Sequence, residues 1–273
     1  MITEFTIYQL TIQGHAANTA KAYAKDLVNF VSYIKLHKQD ARWSTITKDD
    51  VEAYMTYLAN AGMQPASRNR HLAAIGQLYN YMKYKGYDVE NPARFIPRAK
   101  IAQKVPNTIP VDDLKKAIKY AKGDVAIVIE TLLTTGIRIQ ELLDMKTEDL
   151  DAMNNLIKVH GKGMKERLVY TTAENMRNLV RYANGTKGWL FGHLTQEQVR
   201  QDIYDIMKNI SQAPQLSPHA IRHTFATEMA KNGINTSSLA QILGHNSIRT
   251  TQRYIDFGQQ QASAAYSRFQ TFA

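Results

Sequence analysis

The chain contains no cysteine, which excludes disulfides, thiolate chemistry and cysteine-ligated zinc and fits a reducing compartment. It also has no long apolar run; the longest fall far short of a bilayer span. Its start, Met1-Ile2-Thr3-Glu4-Phe5, lacks the basic-then-apolar pattern of a secretory signal. These absences point to a soluble protein, expected in the cytoplasm. Disorder is excluded as well, because 44% of the 273 residues are apolar and can build a core.

Acidic residues are comparatively scarce: 24 Asp and Glu against 34 Lys and Arg give a formal net charge of +10. Such an excess suits a polyanion, since each phosphate neutralised by a cation releases condensed counterions. Residues 1–100 hold 13 basic and 8 acidic side chains, and residues 101–273 hold 21 and 16. Each part therefore carries a surplus of its own, unlike a basic tail attached to a neutral enzyme.

Apolar residues Tyr23, Leu27, Phe30, Val31 and Ile34 recur at helical spacing, opposite Asn18, Lys21, Lys25 and Asn29. A second helix is expected from an N-cap at Thr47 to about Leu58, ending near Gly62. A third starts at Pro65, stripes Leu72, Ile75, Tyr79 and Met82 along one face, and stops at Gly86. Arg70, Gln77 and Tyr84 fall on its far side. Residues 1–92 thus read as an all-helical domain. Pro92, Pro97 and Pro106, with Arg94, Arg98, Lys100 and Lys104, suggest a basic, extended linker over 93–108.

From 109 to 273 a second domain is expected. Helices are predicted over 111–121 and 124–135, and another opens near Arg138. Leu156–His160 and Glu166–Tyr170, around Gly161-Lys162-Gly163, read as a β-hairpin. Ser217-Pro218 supplies an N-cap and first-turn proline for a helix carrying His219 and Arg222.

Three runs carry chemistry: Thr134-Thr135-Gly136-Ile137-Arg138-Ile139-Gln140-Glu141-Leu142-Leu143; His219-Ala220-Ile221-Arg222-His223-Thr224-Phe225-Ala226-Thr227; and Leu243-Gly244-His245-Asn246-Ser247-Ile248-Arg249-Thr250-Thr251-Gln252-Arg253-Tyr254. Singly, each has a bland reading: Arg138 as a helix-start residue, Lys162 as a solvated turn lysine, Tyr254 as one of fifteen tyrosines. His219 and His223 lie four apart, a spacing that can seat a metal. The glutamate of a zinc-protease helix is absent, however, for Ala220 follows His219. No metal and no cofactor is expected. Attack by a tyrosine on a phosphodiester instead needs cations around the non-bridging oxygens, for which the planar fork of arginine suits better than lysine. It also needs a proton donor for the leaving oxygen, a role open to lysine or histidine.

In this order, and with Gly161-Lys162-Gly163-Met164-Lys165-Glu166-Arg167 between the first two, the runs resemble the catalytic domain of the tyrosine recombinases, the phage-type integrase family. Asn18-Thr19, Tyr23, Asp26-Leu27 and Phe30, with Ser67-Arg68-Asn69-Arg70-His71-Leu72, more loosely resemble the core-binding domain of the same family. The resemblance implies a mainly α fold: a SAM-like core-binding bundle, then a mostly helical catalytic domain with a small antiparallel β-sheet. It implies a site-specific DNA recombinase of the integrase or Xer type, with Tyr254 as nucleophile and a 3′-phosphotyrosyl intermediate. Arg138 and Arg222 would clamp the phosphate, Lys162 would protonate the leaving 5′-oxygen, His219 would take the tyrosine proton or position the phosphate, and His245 would donate to the phosphate. Glu141 would orient its neighbours, and His223 is expected to be structural, pointing off the catalytic face.

The implied partner is double-stranded DNA with an inverted-repeat site, and Lys21, Lys25, Arg70 and Gln77 are candidate contacts by their outward placement alone. The implied assembly is a tetramer joined through the segment Gln259–Phe269, with accessory proteins possible and no membrane. Asp256 stands where relatives often have histidine. No arm-binding domain is expected ahead of the bundle. Two other readings share these features: a monomeric relaxing topoisomerase, and a DNA-binding accessory protein without catalysis.

Overall fold

A computed structural model describes residues 1–102, 106–161, 166–245, 250–252 and 254–256. The chain divides into two compact units, Met1–Ala102 and Gln103–Ala273. The mainly helical class with one small antiparallel sheet is as expected.

The first unit holds four helices: α1 (Ile2–Thr11), α2 (Ala17–His37), α3 (Lys48–Asn60) and α4 (Pro65–Tyr84). Thr47 caps α3 as anticipated. Its hydroxyl accepts from the Asp50 amide while the Asp50 carboxylate accepts from the Thr47 amide, satisfying two amides that the helix cannot. Leu27, Phe30 and Ile34 of α2, Leu72, Ile75, Tyr79 and Met82 of α4, and Phe5 of α1 are buried in one core. Helix α1 was not anticipated. Its sequence, Ile-Thr-Glu-Phe-Thr-Ile-Tyr-Gln-Leu-Thr, is rich in β-branched residues and leaves Ile7 and Leu10 exposed, so it shows no clean apolar stripe.

Asp26, only 1% exposed, lies inside this bundle. A carboxylate so placed must be paired. Arg70 grips it with Nε at 2.7 Å and Nη2 at 3.0 Å, and His71 Nε2 stands 3.2 Å away. Tyr54 reaches the other ring nitrogen of His71 at 2.9 Å. Burial pulls the His71 pKa down, favouring a neutral ring that donates to Asp26 and accepts from Tyr54.

The expected linker begins too early at residue 93. Ala93 is buried against α4, and the Asn69 side-chain amide both donates to and accepts from the Ala99 backbone, each at 2.9 Å. One amide matches the donor and acceptor of an extended residue, so a proline-bearing strip can be fastened without joining a sheet.

The second unit runs α5 (Val111–Tyr120), α6 (Asp124–Thr135), α7 (Ile139–Leu143), β1 (Leu150–Asp151), β2 (Leu156–His160), β3 (Glu166–Tyr170), α8 (Ala173–Ala183), α9 (Gln196–Met207), α10 (Pro218–Lys231) and α11 (Thr236–Leu243). Residues 250–252 and 254–256 are helical too. The strands order β1-β2-β3, all antiparallel, with Ile157 opposite Val169. Both are fully buried, joining Leu132, Ile137, Leu142, Phe191, Ile203 and Ile221 in the main core. Two-residue β1 escaped notice because nothing alternates over so short a stretch.

Gly136 ends α6 in the left-handed region (φ 64°), where the next residues turn toward Arg138. A Cβ at that position would overlap the Phe225 ring of α10. Gly136→Ala combines backbone strain with overpacking, so we expect a loss of about 2–4 kcal/mol in denaturant unfolding. An unchanged midpoint would show that α6 and α10 can separate. Among the described residues no helix is long and apolar enough to cross a membrane.

Candidate active site

Arg138 N-caps α7, immediately after the Gly136 turn. Its backbone amide donates to Glu141 Oε2 at 2.7 Å, and its Nη1 donates to Glu141 Oε1 at 2.8 Å. Its Nη2 reaches the Gly244 carbonyl at 3.0 Å. The guanidinium is held between two anchors, Glu141 three residues along the chain and the Gly244 carbonyl 106 residues along it.

Arg222 sits deeper, 3% exposed, on α10. Its Nη1 donates to the Gly136 carbonyl and its Nη2 to the Leu243 carbonyl, both at 2.7 Å. Nη2 also lies 3.0 Å from His245 Nε2. Since a guanidinium only donates, that nitrogen of His245 accepts, and its Nδ1–H donates to Thr251 Oγ1 at 2.8 Å. The arginine boxes and the His245 turn are therefore brought together around carbonyls at the C-terminal ends of α6 and α11.

Glu141, 5% exposed, is the carboxylate of this cluster. Besides Arg138 it accepts two bonds from Arg167 of β3, at 3.0 and 2.8 Å. Burial alone would raise its pKa, but the hydrogen bonds from Arg167 and the Arg138 amide, and both positive charges, hold it below the usual carboxylate range. Arg167 also donates Nε to the Ile242 carbonyl at 2.9 Å. It thus ties the hairpin to α7 and α11, a role sequence reasoning passed over. The signal was there, in an arginine five places beyond Lys162 on the buried-facing register of β3.

The charges do not balance. Burial first, then the nearby Arg138 charge, pushes the Arg222 pKa down to about 10. The group remains a cation at neutral pH, and its depression reflects lost solvation together with the neighbouring positive charge of Arg138. An anion placed there relieves that strain. Sulfate should therefore stabilise the DNA-free protein: at about ten times its Kd the gain is about 1.4 kcal/mol, or roughly 4 °C for a unit of this size. Arg222→Gln should erase the shift in a thermal scan, and an equal shift in that variant would put the anion elsewhere.

Tyr254 is 1% exposed and packs with Ala226, Leu239 and Leu243. Its hydroxyl lies 2.6 Å from His223 Nδ1. The expectation that His223 points off the catalytic face is overturned. An i, i+4 pair shares one helix face, and the His219 and His223 rings meet edge-on with centroids 4.2 Å apart. His219 itself is exposed. Lys162 and the segment Gln259–Phe269 lie outside the described residues.

Residues 108–261 match the family described as the phage integrase family, and residues 2–86 match its N-terminal SAM-like domain. The chain belongs to the phage integrase family. Among relatives of this integrase-family protein is tyrosine recombinase XerD of Listeria monocytogenes serovar 1/2a, 29% identical and aligned over 98% of both chains. Tyrosine recombinase XerC of Myxococcus xanthus is 28% identical, over 97% of this chain and 96% of that one. The crystal structure of XerA recombinase shares 26% identity at a TM-score of 0.52, covering 97% of each chain. XerH recombinase bound to palindromic difH substrate, in its post-cleavage complex, superposes at a TM-score of 0.78 with 18% identity, over 99% of this chain and 85% of that one, and so shows the shared fold.

Proposed function

We propose that this protein is a site-specific DNA recombinase that cuts and rejoins strands through a 3′-phosphotyrosyl link on Tyr254, without metal or nucleotide. The convergence of Arg138, Arg222 and His245 on one turn, in the unit that holds Tyr254, is the observation that carries the reading. In the forward step the Tyr254 oxygen bonds to phosphorus and the bond to the 5′-oxygen breaks. Arg138 and Arg222 hold the non-bridging oxygens, where negative charge accumulates in the crowded transition state. His245, whose Nε2 faces Arg222 at rest, adds a donor to the same phosphate once that nitrogen carries a proton. Lys162 delivers the proton to the departing 5′-oxygen, and His219 faces the phosphate. Because the tyrosyl ester keeps the energy of the broken phosphodiester, a 5′-hydroxyl from another strand reverses the step.

The proposed substrate is duplex DNA with an inverted repeat, held by a tetramer joined through the C-terminal segment, in the cytoplasm. In the first unit Lys21 and Lys25 are exposed on α2, as a phosphate contact requires. Gln77 lines an open groove of about 530 Å³ with Asn80, Lys83, Arg94 and Arg98. Arg70 keeps its guanidinium partly exposed while Asp26 fixes its direction. A fixed fork of this kind can read a phosphate or a base edge at little entropic cost.

Covalent trapping tests the reading. The protein is incubated, without metal or nucleotide, with pooled nicked DNA fragments of its source genome, and linked DNA is isolated under denaturing conditions and sequenced. Adducts enriched for one inverted repeat and lost in Tyr254→Phe are expected. Adducts spread over random sequence would indicate a relaxing topoisomerase, and binding without adducts a non-catalytic DNA-binding protein.

A further inference from the structure

We propose that His223 is a catalytic residue, the group whose Nδ1 accepts the Tyr254 proton as the tyrosyl oxygen bonds to phosphorus. The inference rests on Tyr254 being the nucleophile and assigns it a base. The contact is direct: 2.6 Å between the ring nitrogen and the hydroxyl oxygen, within the reach a general base requires. Both partners are enclosed, Tyr254 at 1% and His223 at 7% exposure, so bulk water does not compete for the proton. Ala226, Leu239 and Leu243 supply apolar walls around the phenol.

The elements explain why the pair meets. Helix α10 carries His219, Arg222 and His223, and the i, i+3, i+4 spacing gathers them on adjoining faces. Arg222 is turned toward the carbonyls of Gly136 and Leu243, while His223 is turned toward the helical residues that end the described chain. Among the described residues, the charged and titratable groups around the pair include His219, edge-on to His223, and Arg222, whose charge interacts with Tyr254. Beyond Arg222 stand Arg138, Glu141 and Arg167.

At rest the phenol oxygen keeps the proton and shares it with His223 Nδ1 across 2.6 Å. It moves only when the oxygen–phosphorus bond begins to form and the phenol acidifies. In that step the Tyr254 Oη–P bond forms, the P–O5′ bond breaks, and the tyrosine proton passes to His223 Nδ1. A different proton, from Lys162, reaches the 5′-oxygen. Rejoining runs the same transfers backward, with protonated His223 returning its proton to Tyr254. His219, exposed and against the His223 ring, is placed to exchange protons with solvent.

Two experiments decide the matter. In the DNA-free protein with ¹⁵N-labelled histidine, His223 at pH 7.5 should carry its proton on Nε2, with a bare, hydrogen-bonded Nδ1 whose shift moves in Tyr254→Phe. A protonated Nδ1 overturns the proposal, because such a nitrogen cannot accept. The second uses DNA recovered by covalent trapping. His223→Gln should slow adduct formation by about 10²-fold or more. Placing sulfur at the 5′-bridging position separates the proton roles, since a thiol of pKa about 8.5 leaves without protonation. That substrate should rescue Lys162→Ala and leave His223→Gln slow. Wild-type rates in His223→Gln, or its rescue by sulfur, overturn the proposal. If the wild-type protein gives no Tyr254 adduct, the recombinase reading fails instead, and the nitrogen signals still report whether His223 can act as a base.

Discussion

Arg222→Ala is expected to lower the rate of Tyr254–DNA adduct formation by about 10³-fold or more, the range found when an arginine is removed from a phosphoryl-transfer site. DNA affinity should fall much less, because in the proposed reading other cations also meet phosphates and this contact gains strength only as charge builds on the phosphate. The large value follows from burial. At 3% exposure Arg222 works in a medium of low dielectric, and its removal leaves the Gly136 and Leu243 carbonyls without their donor. Arg222→Lys should also be poor, by about 10²-fold, since one ammonium cannot reach two carbonyls, His245 and a phosphate together. Single-turnover adduct formation under saturating DNA checks this, and a loss confined to binding would move Arg222 out of the reaction.

Glu141→Ala is expected to have the largest effect on stability. It leaves Arg138 and Arg167 facing one another without the carboxylate that both hold. Breaking a buried pair in this way typically costs about 3–5 kcal/mol, or roughly 10 °C in the melting temperature of a unit of this size. Glu197→Ala, at a side chain 90% exposed, should leave the midpoint unchanged. The pH dependence has a definite sign. The folded pKa of Glu141 lies below its ordinary value near 4.5, so its contribution is complete above that value and is lost as pH falls through the folded pKa. Glu141→Gln should therefore flatten the acid side of the stability curve. A variant that melts with the wild type at pH 7 and loses stability in parallel down to pH 3 would contradict the assignment.

Much of the helical framework was legible because local chemistry sets it. Thr47, Pro65 and Ser217-Pro218 each mark a helix start, and the structure places helices there. The hairpin was legible from its alternation and glycine turn, down to its bounds. What escaped was relational. Arg70 reads as an outward cation at its own position, and only the folded bundle shows it closing on Asp26, 44 residues away. His223 reads as a structural residue pointing off the catalytic face, and its meeting with Tyr254 depends on how the last described helical residues return to α10. The linker boundary moved for the same reason, since nothing near residue 99 announces that Asn69 will hold it. Periodicity reports which face is apolar; it does not report which distant polar group completes a buried one.

The anchors of the two arginines have a consequence for when activity first exists. Arg222 binds a carbonyl 86 residues upstream, and Arg138 binds one 106 residues downstream. Closing loops of that length is among the last events of folding, because their entropy is recovered only once the intervening elements have packed. The paired arginines are thus a property of the completed second unit, because Arg138 and Arg222 meet their carbonyls only once α6, α7, α10 and α11 have packed together.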